Sequence, residues 1–219
     1  GNSLTVKGVY VSQEDDENYP ASAVSSWSGF VYQGKIALYH SLKLIHDGDL
    51  DFELQLDSSD DFAIYKDGKL HTAHQVKAKI SKYRSGYTTA LEQSTLIEYD
   101  KVKGTTRYFH VSVQLNNTDD HKGASGETVK FYRYGEKYYC GLGEIEGLTK
   151  GLIKNICEKK SITVSDNLIN FNYCLLSEKI STIAIHCHKL NQVDGVRETR
   201  AAYDNRIKAS NLLADLLNE

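Results

Sequence analysis

The chain has 219 residues, a quarter of them charged, and a net charge of −3. That length suits one large domain, or a domain with an appendage, and the mild charge excludes a molecule-wide basic field while leaving room for a local basic strip. No apolar run is long enough for a bilayer and no signal-peptide pattern is present, so a cytoplasmic protein without a membrane partner is expected. The four cysteines, Cys140, Cys157, Cys174 and Cys187, are too widely spaced for a disulfide scaffold and predict free, buried thiols.

Residues 1–22 carry the acidic cluster Glu14 to Glu17 and the only proline, Pro20, and read as a leader arm. Ser25 or Ser26 then caps a helix in which Trp27, Phe30, Gly34, Ala37, Leu38 and Ile45 recur at helical spacing, and Asp47-Gly48 stops it. Gly34 costs helix stability relative to alanine, which predicts a close approach to another element. Three short strands follow at 52–56, 62–65 and 70–79. Asp67-Gly68 between the last two is a strong hairpin signal. A basic turn over 79–86 leads to a helix expected over 87–102, then to an alternating strand over 107–115. A polar loop over 116–127 and a strand or hairpin at 129–134 and 137–140 complete the first half.

From Leu142 the period changes. Ile145, Leu148, Leu152, Ile153 and Ile156 define one helix, and Ile169, Tyr173, Leu176, Ile180, Ile183, Ala184 and Cys187 a longer one. A final helix over 211–217, capped by Ser210, carries a leucine patch that either folds back on the body or meets a further domain.

The polar residues of 51–79 are the ones whose placement suggests chemistry. Phosphodiester hydrolysis needs a cation against the scissile phosphate, an activated water and a group that stabilises the transition state. Mg²⁺ takes hard oxygen ligands and keeps several waters, so two or three protein oxygens suffice. Asp61 supplies a carboxylate, Gln75 a side-chain carbonyl and Val76 a backbone carbonyl, while Glu53 ligates directly or through water. Lys77 shares a strand face with Gln75 and can orient the water or hold the phosphate. The plainer alternatives are a turn-capping aspartate, a solvated lysine and an ordinary strand glutamate. Lys79, Lys82 and Arg84 follow the site directly and are either phosphate contacts for DNA or a solvated loop, with Tyr83 and Tyr87 as stacking candidates. His71 lies on the same strand face as Gln75. His186-Cys187-His188 does not suit zinc, because residues two apart on a helix diverge by roughly 200°.

Asp61, a hairpin and then Gln75-Val76-Lys77 resemble the PD-(D/E)XK nuclease core, in the Mrr-like variant where glutamine replaces the third-strand acid. The segment from Ser26 to Tyr39, the Glu53 strand and the order of elements resemble the N-terminal endonuclease domains paired with SAVED sensors, and especially proteins of anti-phage ABC-three-component systems. Tyr139 to Ile145 and Ile183 to His188 share that likeness. The resemblance implies an α/β, restriction-endonuclease-like core over 23–140, ordered helix, three antiparallel strands, helix, strand. A mostly helical extension over 141–219 would pack on it and lead to a further domain.

It further implies Asp61, Gln75 and Lys77 as catalytic with Gln33 and Glu53 in support, Mg²⁺ or Mn²⁺ as cofactor, and DNA as substrate. Other subunits of a defence complex, and a homo-oligomer, are the implied protein partners. The alternative is an inactive nuclease-like module that binds DNA or a partner ATPase.

Overall fold

The structure, a computed structural model, describes residues 21–56, 60–78, 81–97, 102–193 and 198–218. The leader arm up to residue 20 and Lys79 lie outside them. The Asp67-Gly68 turn has positive φ at both residues, 50° and 72°, the twist that a two-residue hairpin requires. It joins β2 (Phe62–Lys66) to β3 (Lys69–Lys77), and β1 (Glu53–Leu56) pairs antiparallel with β2 to complete the expected three-strand meander.

The next strand, β4 (Thr106–Val111), lies parallel to β3, with Gln75 opposite Phe109 and Lys77 opposite Val111. A parallel neighbour needs a crossover. Here it is a 3-10 turn, Arg84–Tyr87, followed by the short α2 (Thr88–Ser94). The helix expected to reach 102 ends early because its own hydroxyls compete for the backbone. Ser94 Oγ donates to the Ala90 carbonyl at 2.8 Å and Thr95 Oγ1 to that of Glu92 at 2.6 Å, while buried Arg107 donates to the Thr95 carbonyl at 2.8 Å.

Three further strands widen the sheet: β5 (His121–Lys122), β6 (Thr128–Phe131) and β7 (Ile207–Lys208). The order across it is β5-β6-β4-β3-β2-β1-β7. Of the strand or hairpin expected at 129–134 and 137–140, the structure has the strand: β6 lies alongside β4 in parallel, and a bridge between Tyr134 and Lys137 stands in place of a full hairpin. Gly123, beside β5, packs so tightly that a Cβ there would stand 2.4 Å from Thr95 Oγ1 and 2.5 Å from its Cβ.

α1 (Ala21–His46) covers one face of the sheet, above Leu54, Leu56, Phe62, Ile64 and Val76. α3 (Leu142–Lys159) and α4 (Asp166–Val193) pack outside α1, and their buried stripes follow the expected apolar periods except at Leu148, which is exposed while Thr149 beside it is buried. The close approach expected at Gly34 is to α4: a Cβ there would meet Ile180 Cγ2 at 3.6 Å, ordinary contact. α5 (Glu198–Asp204) precedes β7, and α6 (Ala209–Leu217) folds back with Leu212 and Leu216 in the main core. The leucine patch is thus internal. On the opposite sheet face a second cluster, Tyr87, Leu91, Phe109, Val111, Leu115, Val129 and Phe131, seats α2 over β4 and β6.

Among the described residues no helix is long and apolar enough to cross a membrane. Cys140, Cys157 and Cys187 are buried free thiols as expected, whereas Cys174 is exposed.

Candidate functional site

The start of β2 and the end of β3 bring two carboxylates and a carboxamide together. The Asp61 N–H donates to the His74 carbonyl at 3.1 Å, and Asp61 Oδ2 accepts the Val76 N–H at 2.6 Å. The N–H and C=O of one strand residue point to the same edge. The Val76 carbonyl therefore turns toward the Asp61 side of β3, where the sequence reading needs it. Gln75 Nε2 donates to Asp60 Oδ1 at 3.2 Å. Because a carboxylate only accepts, this contact fixes which end of the amide faces Asp60 and leaves Oε1 as the other end.

Asp60 is the residue that sequence reasoning missed. It is buried, with 6 % of its surface exposed. The Asp60-Asp61 doublet was visible, but the expected single-acid motif drew attention to Asp61 alone.

Lys77 lies two residues beyond Gln75 on the same sheet face, half-buried. Its ammonium makes no hydrogen bond or ion pair among the described residues. The remaining expected site residues are not gathered here. Glu53 shares the face but pairs with Tyr65 and Lys208. Tyr65 is four residues along β2 from Asp61, about 13 Å away. Gln33 sits on α1, on the opposite side of the sheet, with no side-chain hydrogen bond to Asp61, Gln75 or Lys77 among the described residues.

The basic strip also changes character. Arg84 Nη1 donates to the carbonyls of Asn117 (3.5 Å) and Asp119 (2.5 Å) and to Asn117 Oδ1 (3.3 Å), and its guanidinium lies 5.3 Å from the Phe131 ring centroid. It braces the 116–120 loop. Tyr87 is fully buried, its hydroxyl donating to the Ser81 carbonyl at 2.8 Å. Lys82 and Tyr83 remain exposed, with the Lys82 ammonium 5.5 Å from the Tyr83 ring centroid. His186 and His188 are exposed on α4 while Cys187 between them is buried.

Directly beneath Gln75, on the α1 face, lies a buried chain of imidazoles. His74 Nε2 contacts Thr72 Oγ1 at 2.8 Å, His74 Nδ1 contacts His110 Nε2 at 2.9 Å, and His110 Nδ1 contacts the Tyr134 hydroxyl at 2.5 Å. One direction of donation along this chain satisfies all four ring nitrogens with both imidazoles neutral. His40 Nδ1 meets the Tyr132 hydroxyl at 2.8 Å. Burial holds the pKa of His74 and His110 well below the ordinary histidine value, with the neighbouring His40 adding to the effect, and brings His40 down to about 4. Burial also raises the phenols of Tyr132 and Tyr134, so the layer is neutral throughout.

Asp60, Asp61, Gln75 and the Val76 backbone carry hard oxygen donors close together in this corner of the sheet, the kind of oxygen Mg²⁺ prefers. Among the described residues no group of three or more His, Cys, Asp or Glu side chains is arranged to hold a metal ion. This set has two carboxylates and draws its other oxygens from an amide and the backbone.

Fold and site together define a mixed α/β protein with an acid–amide–lysine cluster at the ends of two central strands. Residues 129–219 match the family model described as C-terminal domain 1 of the ABC-three component (ABC-3C) systems, under half of the chain. These are anti-phage systems of several components. No curated protein and no solved structure matches the chain.

Proposed function

We propose that this chain is a metal-dependent DNA endonuclease of a bacterial anti-phage defence system. The observation that carries the reading is the convergence of Asp60, Asp61, Gln75 and the Val76 carbonyl edge, with Lys77 next along the same face. The order helix, antiparallel meander, crossover helix and parallel strand agrees with the resemblance to PD-(D/E)XK nucleases. The likeness of 129–219 to a domain of ABC-three component systems supports the setting in defence.

When bound at these oxygens, Mg²⁺ or Mn²⁺ would supply Lewis-acid charge against the scissile phosphate and lower the pKa of a coordinated water. The chain's own part is positional. Asp61, tied through its backbone and its carboxylate to β3, fixes the ligand geometry, and Asp60 orients the Gln75 amide. Lys77 places a cation where negative charge develops on the phosphoryl oxygens or holds the attacking water.

Plasmid cleavage with Mg²⁺ or Mn²⁺, parent against Lys77→Ala, tests this. Losing an electrostatic partner of this kind is expected to slow cleavage by about a hundredfold or more. Tm should stay unchanged, since the ammonium makes no hydrogen bond or ion pair among the described residues. Equal rates would sink the assignment.

A second reading, a nuclease-like module that binds DNA or a partner ATPase without cutting, is favoured by one finding: the family-model match falls on residues 129–219, away from Asp60 to Lys77. DNA binding with no cleavage under either metal would support it.

A further inference from the structure

At the far end of β3 from Lys77 the chain forms a cavity of about 530 Å³, between the Gly68 turn and the start of β4. Lys69, His71, Lys103 and Arg206 line it, with Tyr65, Leu70, Val102 and the 104–106 backbone, and no Asp or Glu contributes. That concentration of positive charge runs against the net charge of −3. The Lys69, His71 and Lys103 side chains make no ion pair among the described residues.

Arg206 is held in place. Its Nε donates to Gln55 Oε1 at 2.8 Å, and its guanidinium lies 3.5 Å from the Tyr65 ring centroid and 4.6 Å from that of Tyr203. Two rings and an amide therefore orient it before any ligand arrives, so little side-chain entropy is lost on binding. Gln55 is itself buried beneath it. Two carboxylates lie near the wall: Glu127 accepts the Gly104 N–H with both oxygens at 3.1 Å and lies 3.5 Å from Arg107 Nη1, and Asp49, whose charge is felt at His71, is paired with the Lys66 ammonium.

We propose that this cavity binds a free phosphate-bearing small molecule of nucleotide size. Lys69, Lys103 and Arg206 hold the phosphates, and Leu70 and Val102 receive the less polar portion. Guanidinium and ammonium groups converging without carboxylates suit phosphate oxygens. The volume falls in the range of small-ligand sites and far exceeds a single phosphate. A concave pocket, as opposed to an extended strip, favours a free molecule over a duplex backbone. The site is separate from the Asp60–Lys77 cluster: Lys69 and Lys77 are eight residues apart on one strand, about 26 Å. It does not depend on the nuclease reading.

Calorimetric titration of the full chain at low salt tests the assignment, with ADP, pyrophosphate and a 20-base-pair DNA duplex as probes. The parent, Lys69→Glu/Lys103→Glu and Lys77→Ala are compared. The expected result is saturable ADP and pyrophosphate binding by the parent and by Lys77→Ala, weakened at least tenfold in the double variant, whose Tm should equal the parent's. Arg206→Lys keeps the charge but loses the planar fork, and should weaken ADP binding with a smaller loss for pyrophosphate. Absence of ADP and pyrophosphate binding, equal binding by the double variant, or binding of the duplex alone would overturn it.

Discussion

Asp61 is tied to β3 twice, through its N–H to the His74 carbonyl and through its carboxylate to the Val76 N–H. Its substitutions therefore separate structure from chemistry. Asp61→Ala removes the acceptor and strands the Val76 N–H, at a cost of about 1–3 kcal/mol. Asp61→Asn retains a carbonyl oxygen for that N–H but loses the charge that a divalent cation needs. Thermal melts and cleavage assays on both should show a lowered Tm only for alanine and lost cleavage for both. Cleavage by Asp61→Asn at the parental rate would shift the ligand role to Asp60. The residue types at this site were legible because strand alternation puts Gln75 and Lys77 on one face. Glu53 was misplaced for a reason also visible at this scale: an antiparallel meander reverses direction, so the start of β1 lies beside the end of β2, away from Asp61.

β3 is the element on which both faces act. One carries Gln75 and Lys77, the other His74 and Val76 against α1 and the His110–Tyr134 pair. The histidines on that underside are neutral in the fold and protonate when it opens. Their folded pKa values lie below the unfolded value, so the unfolded state binds more protons and stability rises with pH. Their contribution is complete above about pH 6.5. It is lost as pH falls toward the folded values, about 4 for His40. Each contributes up to about 1.4 kcal/mol per pH unit within that window, so His40, His74 and His110 together give up to about 4. Urea midpoints at pH 7, 6 and 5 should fall steeply between the last two, with an unchanged m-value. A flat profile would contradict neutral burial. The hairpin and the long helices were readable from turn chemistry and from the 3.6-residue period. β5 and β7 were not, because two-residue strands carry no period and exist only through their neighbours.

At the scale of the molecule, the segment that matches the family model begins inside β6 and takes in every later element through α6. It supplies a strand beside β4, another beside β1, and helices that share one core with α1 and the meander. Cut at 140, the main core is divided between the two pieces, and only the smaller cluster of α2, β4 and β6 stays whole, in 1–140. Residues 1–140 and 141–219 expressed separately should each lack a cooperative thermal transition, while the full chain melts in one step. A two-state melt from either piece would show an autonomous unit. β7 also has a consequence for assembly. It occupies the hydrogen-bonding edge of β1, and the other rim of the sheet is β5, only two residues long. Among the described residues each rim is a strand of two residues, a short template for another protein's strand. A protein partner meeting the described sheet would therefore do so mainly side chain to side chain, on helical or loop surfaces.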